Sequence, residues 1–182
     1  VHNVVVVEEG AELNIISGCV TSADTKEAAH LGFSEMYVEK GGKLTFTMIH
    51  NWGEEVEVRP RTAGTIAENA SLVSNYVLLQ KVRDITMYPS IALNGENAVA
   101  RFNSVIVSSQ GSYVDTGNRL LLNVPNSRGE FIARIPTTGR AITYRGLPRP
   151  PPPPTTAHPA CKGLTPGEGR LHAIPELDPT GD

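Results

Sequence analysis

The residues best suited to metal or sulfur chemistry are two thiols, Cys19 and Cys161, which lie 142 positions apart. Lys162 follows Cys161 directly, and a neighbouring ammonium favours the thiolate, the form that attacks sulfur and binds iron. A single cysteine is more often a small buried apolar residue, and this alternative is stronger for Cys19 because it follows an apolar strand. His172 lies 11 residues beyond Cys161, about one coil away if the chain winds as a solenoid. Cys161 is therefore the leading candidate ligand, with Cys19 and His172 as weaker ones.

Familiar catalytic motifs are missing from the sequence. It has no Gly-x-Ser-x-Gly elbow, no phosphate-binding Gly-Lys-Ser/Thr loop, no Cys-x-x-Cys pair and no Gly-x-Gly-x-x-Gly turn. The adjacent carboxylates Glu8-Glu9 and Glu54-Glu55 are candidates for glycosidase chemistry, but neighbours on a strand point to opposite faces and do not converge on one substrate. These pairs are predicted to be solvated, and the absence of these motifs argues against catalysis.

Length, charge and composition bear on the class of protein. The 182 residues are expected to form one domain, and a net charge of −3 gives no reason to expect nucleic acid or an anionic membrane as partner. No run of 18 apolar residues is present, so no membrane span is predicted. With no secretory segment and only two cysteines, a cytoplasmic location is expected. The chain begins at Val1 without a methionine and stops in a polar stretch, so we expect it to be a piece of a longer protein.

Short apolar strands separated by turns recur along the chain. The turns are centred on Gly10, Gly41, Asn69, Gly95, Gly111 and Ser127. Their separations are 31, 28, 26, 16 and 16 residues. Most of these values are near one or two multiples of about 13 to 16 residues, a period typical of stacked β-coils.

The strand pattern favours an all-β fold built as a parallel β-helix. Strands of a sandwich alternate apolar and polar residues, whereas several strands here are continuous apolar runs, such as Val105-Ile106-Val107 and Leu120-Leu121-Leu122. Such runs suit an interior in which coils stack about 4.8 Å apart and their aliphatic side chains align. A β-sandwich is the alternative, and one short helical turn is predicted at residues 26–31.

A shift in proline content divides the chain. Residues 1–147 contain four prolines and residues 148–182 contain ten. Proline removes a backbone donor and fixes φ, so the run from Pro148 to Pro154 is predicted to be extended and not an interior strand. The predicted divisions are a β-helix core at 1–147, a proline-rich segment at 148–160, and a last coil with the C-terminal end at 161–182. Leu171-His172-Ala173-Ile174-Pro175 is predicted to form one more short strand.

Several long motifs resemble the SufB/SufD family of iron–sulfur cluster assembly proteins, most closely its archaeal-type members. They are residues 47–61 (TMIHNWGEEVEVRPR), 87–89 (MYP), 93–103 (LNGENAVARFN), 161–164 (CKGL) and 172–177 (HAIPEL). The resemblance extends over about residues 3–178. It implies a right-handed parallel β-helix, in agreement with the fold predicted from the strand pattern.

The same resemblance implies a scaffold, not an enzyme. Family members pair through their β-helices as SufB/SufD-like homo- or heterodimers, recruit a SufC-type ABC ATPase, and assemble a transient iron–sulfur cluster near the subunit interface. Cys161 matches the family's cluster-associated cysteine, and Cys19 is similar to the cysteine on the sulfur path. A stable cluster usually takes about four thiolates, so two cysteines imply that ligands are shared with a second subunit, with His or Glu, or with small thiols.

Departures from the family pattern leave alternatives open. Family members continue beyond Asp182 into C-terminal helices that contact the ATPase, and they carry a β-coil where this chain has its proline run. The alternatives are a β-helix carbohydrate-active enzyme, which predicts acidic side chains clustered along one groove, and a structural fragment without a site. Exposed terminal coils offer unpaired strand edges, so self-association is expected in each case.

Overall fold

The computed structural model describes residues 1–21, 28–138, 142–149, 156–164 and 171–175. Within these ranges the chain forms β-strands and no helix, and so none that is able to cross a bilayer. The strands are β1 (His2–Val7), β2 (Glu12–Val20), β3 (Ala28–Val38), β4 (Lys43–Asn51), β5 (Val56–Ile66), β6 (Ser71–Leu78), β7 (Asp84–Met87), β8 (Ser90–Leu93), β9 (Val99–Ile106), β10 (Tyr113–Leu122), β11 (Arg128–Pro136), β12 (Ile142–Arg149), β13 (Thr156–Leu164) and β14 (Leu171–Pro175). The predicted all-β class is confirmed.

The strands form two sheets in which every described pairing between strands is parallel. One sheet has the order β1-β3-β5-β7-β10-β12-β14, with β8 continuing the position of β7 between β5 and β10. The other has the order β2-β4-β6-β9-β11-β13. The chain therefore alternates between sheets as it winds, and crossovers between parallel neighbours are right-handed in nearly all proteins. The predicted parallel β-helix is confirmed, and the sandwich alternative is wrong because the described strands pair without hairpins.

One coil of the solenoid takes about 28 residues, half in each sheet. A single ladder of the second sheet contains Leu13, Leu44, Leu72, Ala100 and Gly129. A ladder of the first sheet contains Val7, Val38, Ile66, Leu93 and Leu122, each at most 2% exposed. Full burial of such a side chain stabilises the fold by roughly 1.5–3 kcal/mol. No coil covers its own apolar face, so this stabilisation requires stacking.

Left-handed residues stack at the corner where the first sheet passes into the second. Positive φ angles occur at Gly10, Gly41, Asn69, Asn97 and Asn126. The predicted turn at Gly95 is real, but the left-handed residue is Asn97, whose side-chain amide donates to Asn69 Oδ1 at 3.1 Å. With Asn97 and Asn126 as markers, the separations from Asn69 onward become 28 and 29 residues, one coil each. The irregular predicted spacing arose because Gly111 lies at a different corner, between β9 and β10.

The described strands bear on two local predictions. The predicted helical turn is wrong for residues 28–31, which begin strand β3, and its first two residues lie outside the described ranges. Pro148 and Arg149 form the end of β12, which pairs with β10 there. Among the described strands, β14 pairs with β12 only as far as Gly146, so no described strand on that side requires the N–H that Pro148 lacks, and the prediction that this run is not an interior strand is not contradicted. Residues 150–155 lie outside the description, and the divisions at 147 and 160 stay predictions.

Candidate functional site

The two cysteines occupy opposite ends of the second sheet. Cys19 is in β2 and Cys161 is in β13, with four strands between them. Five inter-strand spacings of about 4.8 Å separate their backbones by about 24 Å. The protein ligands of one cluster all bond to the iron atoms of one compact core. One chain therefore cannot place both thiols on the same cluster.

The strands that carry Cys161 and His172 lie together at the end of the solenoid. Cys161 pairs in register with Ala133 of β11, although its thiol lies outside the described part of the structure. His172 pairs with Thr143 of β12 and has an exposed side chain. Strands β13 and β14 are in contact. The structure thus brings these two candidate ligands to one coil and leaves Cys19 at the other end.

Cys19 lies beside a buried aromatic cluster formed by His30, His50, Trp52 and Tyr76. Cys19 pairs in register with His50, and it packs, partly buried, against the apolar core that includes Trp52 and Tyr76. The Trp52 ring centroid is 4.5 Å from that of His30 and 5.0 Å from that of His50. His50 Nδ1 and the Tyr76 hydroxyl are hydrogen-bonded at 3.2 Å.

Burial keeps this aromatic cluster uncharged at neutral pH. His50 is 1% exposed, and its burial, followed by the proximity of His30, lowers its pKa from 6.5 to about 4. Burial also lowers the pKa of His30. Burial raises the pKa of Tyr76, and the nearby Cys19 raises it further. Neutral imidazoles and a protonated phenol therefore surround the thiol.

Trp52 carries a hydrogen-bond donor without a partner. Its side chain is 5% exposed, and none of the described residues accepts a hydrogen bond from Nε1. An indole N–H donates only, and buried donors without acceptors are rare in folded proteins. The interior beside Cys19 therefore contains an indole N–H for which the described residues provide no acceptor.

An internal cavity of about 30 Å³ continues from Tyr76 along the inside of the solenoid. Its polar lining includes Tyr76, Ser104 and Asn118, and a volume of this size suits a water molecule. Its lining also includes all three methionines of the chain, Met36, Met48 and Met87. Polar and soft sulfur groups therefore interrupt an otherwise aliphatic interior.

The outer face of the first sheet carries acidic residues that are individually paired with arginine. Arg83 lies 2.5 Å from Glu57, Arg59 lies 2.9 Å from Asp84, and Arg145 lies 3.9 Å from Asp115. Across the described ranges, no group of three or more His, Cys, Asp or Glu side chains is arranged to hold a metal ion. The described side chains of one chain therefore do not form a complete metal site.

The sequence predicts that Trp52 packs at a coil corner, but it does not predict the aromatic cluster around it. That expectation is confirmed, since Trp52 follows the last residue of β4 and is buried. The signal available was the spacing of 31 residues between Cys19 and His50, which equals one coil at the start of the chain. Reading it required the register of β2 against β4, which the sequence does not state.

Comparison with known proteins gives one family. Residues 1–148 match the model of the SUF system FeS cluster assembly, SufBD core domain. Over 98% of its length the chain is 48% identical to an iron-sulfur cluster assembly SufBD family protein of Archaeoglobus fulgidus, of which it covers 48%. It is 39% identical to a Methanothermobacter thermautotrophicus relative, of which it covers 44%. Identity to the iron-sulfur cluster assembly protein SufB of Bacillus subtilis is 27%, over 31% of that protein. The chain spans about half the length of its archaeal relatives.

Proposed function

The chain belongs to the SufBD family of iron–sulfur cluster assembly proteins, and we propose that it is a scaffold subunit on which a transient cluster is built. In this proposal Cys161 binds the nascent cluster, His172 is an additional iron ligand, and Cys19 receives sulfur. The cluster is the cargo of the reaction and is released to an acceptor. The chain itself positions ligands and performs no enzymatic turnover.

The observation that carries this proposal is the separation of the two cysteine backbones along the second sheet. A chain that offers one cysteine at the end of its solenoid supplies too few thiolates for a stable cluster. The remaining ligands come from a second subunit, from His172 or from small thiols. Imidazole and oxygen ligands hold iron–sulfur units less firmly than thiolates do, and a weakly held cluster suits a donor.

The partners follow from the same shortage of ligands. A second SufB/SufD-like subunit, identical or distinct, completes the cluster site at the end of the solenoid. A SufC-type ABC ATPase supplies the conformational work of assembly, and the complex operates in the cytoplasm. Exposed Lys162, Gly163 and Leu164 on β13, next to Cys161, give the second subunit an accessible strand to contact.

Cluster reconstitution tests the role of Cys161. Anaerobic incubation of the parent chain with iron and sulfide should produce visible charge-transfer absorption, and Cys161→Ser should reduce bound iron at least about tenfold. Even groups behind a metal ligand typically contribute a factor of 10–100 to metal affinity, so the loss of a ligand has at least this effect. Iron and acid-labile sulfide are measured per chain.

The matched control is Cys19→Ser, the same substitution at the other thiol. Because inorganic sulfide reaches iron without a carrier residue, Cys19→Ser should retain the cluster of the parent chain under these conditions. Equal iron content in Cys161→Ser and the parent chain would show that the cluster site has been assigned wrongly.

The carbohydrate-active alternative gains no support from the outer face of the first sheet. Glu57, Asp84 and Asp115 lie on successive coils, which is the kind of acidic row that this alternative predicted. Each carboxylate is, however, neutralised by its own arginine.

A further inference from the structure

The unpartnered indole N–H beside Cys19 has a specific chemical use. We propose that Trp52 Nε1–H donates a hydrogen bond to the outer sulfur of a persulfide carried by Cys19. This inference rests on the proposed function, because it takes Cys19 as the residue that receives sulfur. It adds the group that holds the sulfur once it has arrived.

Strand register brings the indole and the thiol to the same part of the interior. Cys19 and His50 are in register on β2 and β4, one inter-strand spacing apart. Trp52 follows His50 by two residues, and the two rings are 5.0 Å apart. Cys19 packs against the core cluster to which Trp52 belongs. A persulfide extends the Cys19 side chain by one S–S bond of about 2 Å.

Some of the other polar groups near Cys19 have described hydrogen-bond partners. His50 Nδ1 and the Tyr76 hydroxyl bond to each other, and the Gly53 N–H donates to Thr21 Oγ1. Trp52 Nε1 is left as the buried donor for which the described residues provide no acceptor. A terminal persulfide sulfur is an anionic acceptor, and an anion held among apolar side chains requires a donor. The unused donor and the added acceptor are therefore complementary.

The loading step balances with inorganic disulfide as the sulfur donor. The Cys19 thiolate attacks one sulfur of HS–S⁻, a new S–S bond forms at Cys19, and the S–S bond of the donor breaks. Hydrosulfide, HS⁻, leaves with the electron pair of the broken bond. The products are the Cys19 persulfide anion and hydrosulfide, so atoms and charge are conserved. The transferred sulfur is then positioned to accept the Trp52 hydrogen bond.

Equilibrium persulfidation of the full chain tests the proposal. The Cys161→Ser background leaves Cys19 as the reactive thiol, and the chain is equilibrated anaerobically with fixed ratios of inorganic disulfide to hydrosulfide. Intact mass spectrometry then gives the fraction that carries one additional sulfur atom. Replacing Trp52 by Phe keeps an aromatic ring and removes the N–H. Hydrogen bonds to charged groups are strong, so the equilibrium constant for loading should fall about tenfold.

Two control variants separate hydrogen bonding from general disturbance of the interior. Met48→Leu is a nearly volume-conserving change to an interior side chain on the same strand, and it should leave the loading constant unchanged. Cys19→Ser in the same background should gain no sulfur. If Trp52→Phe loads as well as the parent chain, the proposed hydrogen bond is wrong, whereas the role of Cys19 in assembly stands. If Cys19 itself takes no sulfur in the parent chain, its assignment in the proposed function fails as well.

A second readout needs no substitution at Trp52. Trp52 is the only tryptophan of the chain, so intrinsic fluorescence reports on this indole alone. Loading of Cys19 should change its emission, and hydrosulfide alone should not. If Trp52→Phe fails to fold, this measurement decides: emission that is unchanged when Cys19 is fully loaded overturns the proposal.

Discussion

Substituting alanine for Gly95 is expected to lower the free energy of unfolding by about 3 kcal/mol. A methyl group at Gly95 would lie 1.9 Å from the backbone nitrogen of Glu68 in the preceding coil. The methyl carbon is bonded directly to the backbone and the Glu68 nitrogen is a backbone atom, so neither can rotate away. One coil therefore has to move against the next. Overpacking of this kind typically costs 1–3 kcal/mol, with larger costs where the backbone must shift. For a chain of this length the change corresponds to a fall of about 6–12 °C in Tm.

Gly18→Ala is the matched control for this clash. Gly18 lies within β2, and the nearest atom to an added methyl group is the Ile49 carbonyl oxygen at 3.5 Å, an ordinary contact. The stability of the Gly18→Ala variant should therefore stay close to that of the parent chain, or rise slightly because alanine restricts the unfolded chain. Thermal unfolding followed by circular dichroism measures both variants. Equal Tm values for the two variants would contradict the tight stacking of coils at Gly95.

Mild acid is expected to destabilise the fold by about 3 kcal/mol through His50. The pKa of this buried imidazole is lowered from 6.5 to about 4, first by burial and then by His30. As pH falls, the unfolded chain binds a proton near pH 6.5, whereas the folded chain resists protonation until near pH 4. The stability contributed by the neutral imidazole is therefore fully present above pH 6.5 and is lost progressively between pH 6.5 and 4.

Urea unfolding at pH 7.5 and pH 4.5 measures this effect. The fall in unfolding free energy between the two pH values should be smaller in His50→Gln than in the parent chain, because glutamine does not titrate. His172→Gln changes an exposed side chain and should keep the full pH dependence. Groups remote from both histidines contribute equally to all three chains, so their contributions cancel in the comparison. A parent chain and a His50→Gln variant with the same pH dependence would show that His50 is solvated.

Much of the solenoid was predictable because local patterns set its repeat. Gly10, Gly41 and Asn69 take left-handed conformations that their residue types favour, but the predicted period of about 13 to 16 residues is half of the observed coil. Asn97 and Asn126 were missed as the left-handed residues of their turns. Asn97 lies two residues after Gly95, and Asn126 lies one residue before Ser127, and those neighbours were taken as the turn centres. Gly95 was recognised as a turn residue for the wrong reason, since its small size serves coil contact and not a positive φ.

The candidate site was predictable only in part. Cys161 and His172 were singled out from the sequence, and the fold places their strands in contact in the last described coil. The cluster around Cys19 was not foreseen, because His30, His50 and Tyr76 lie on three different strands and meet only through the inter-coil register. That register depends on coil lengths of 28 to 31 residues, which vary with each corner. Local sequence patterns do not encode such differences reliably enough to align side chains across coils.

The distance between the two native cysteines tests the central claim most directly. The cluster is proposed to be shared between subunits because the two cysteines of one chain lie too far apart to bind it together. The chain contains no other cysteine, so spin labels attached to Cys19 and Cys161 require no further substitution. Dilution with unlabelled chain isolates the intramolecular distance in pulsed electron paramagnetic resonance. The β-helix predicts a distance distribution centred at about 25 Å, set by five inter-strand spacings. A distribution centred below about 12 Å would place both thiols at one site and contradict the shared cluster.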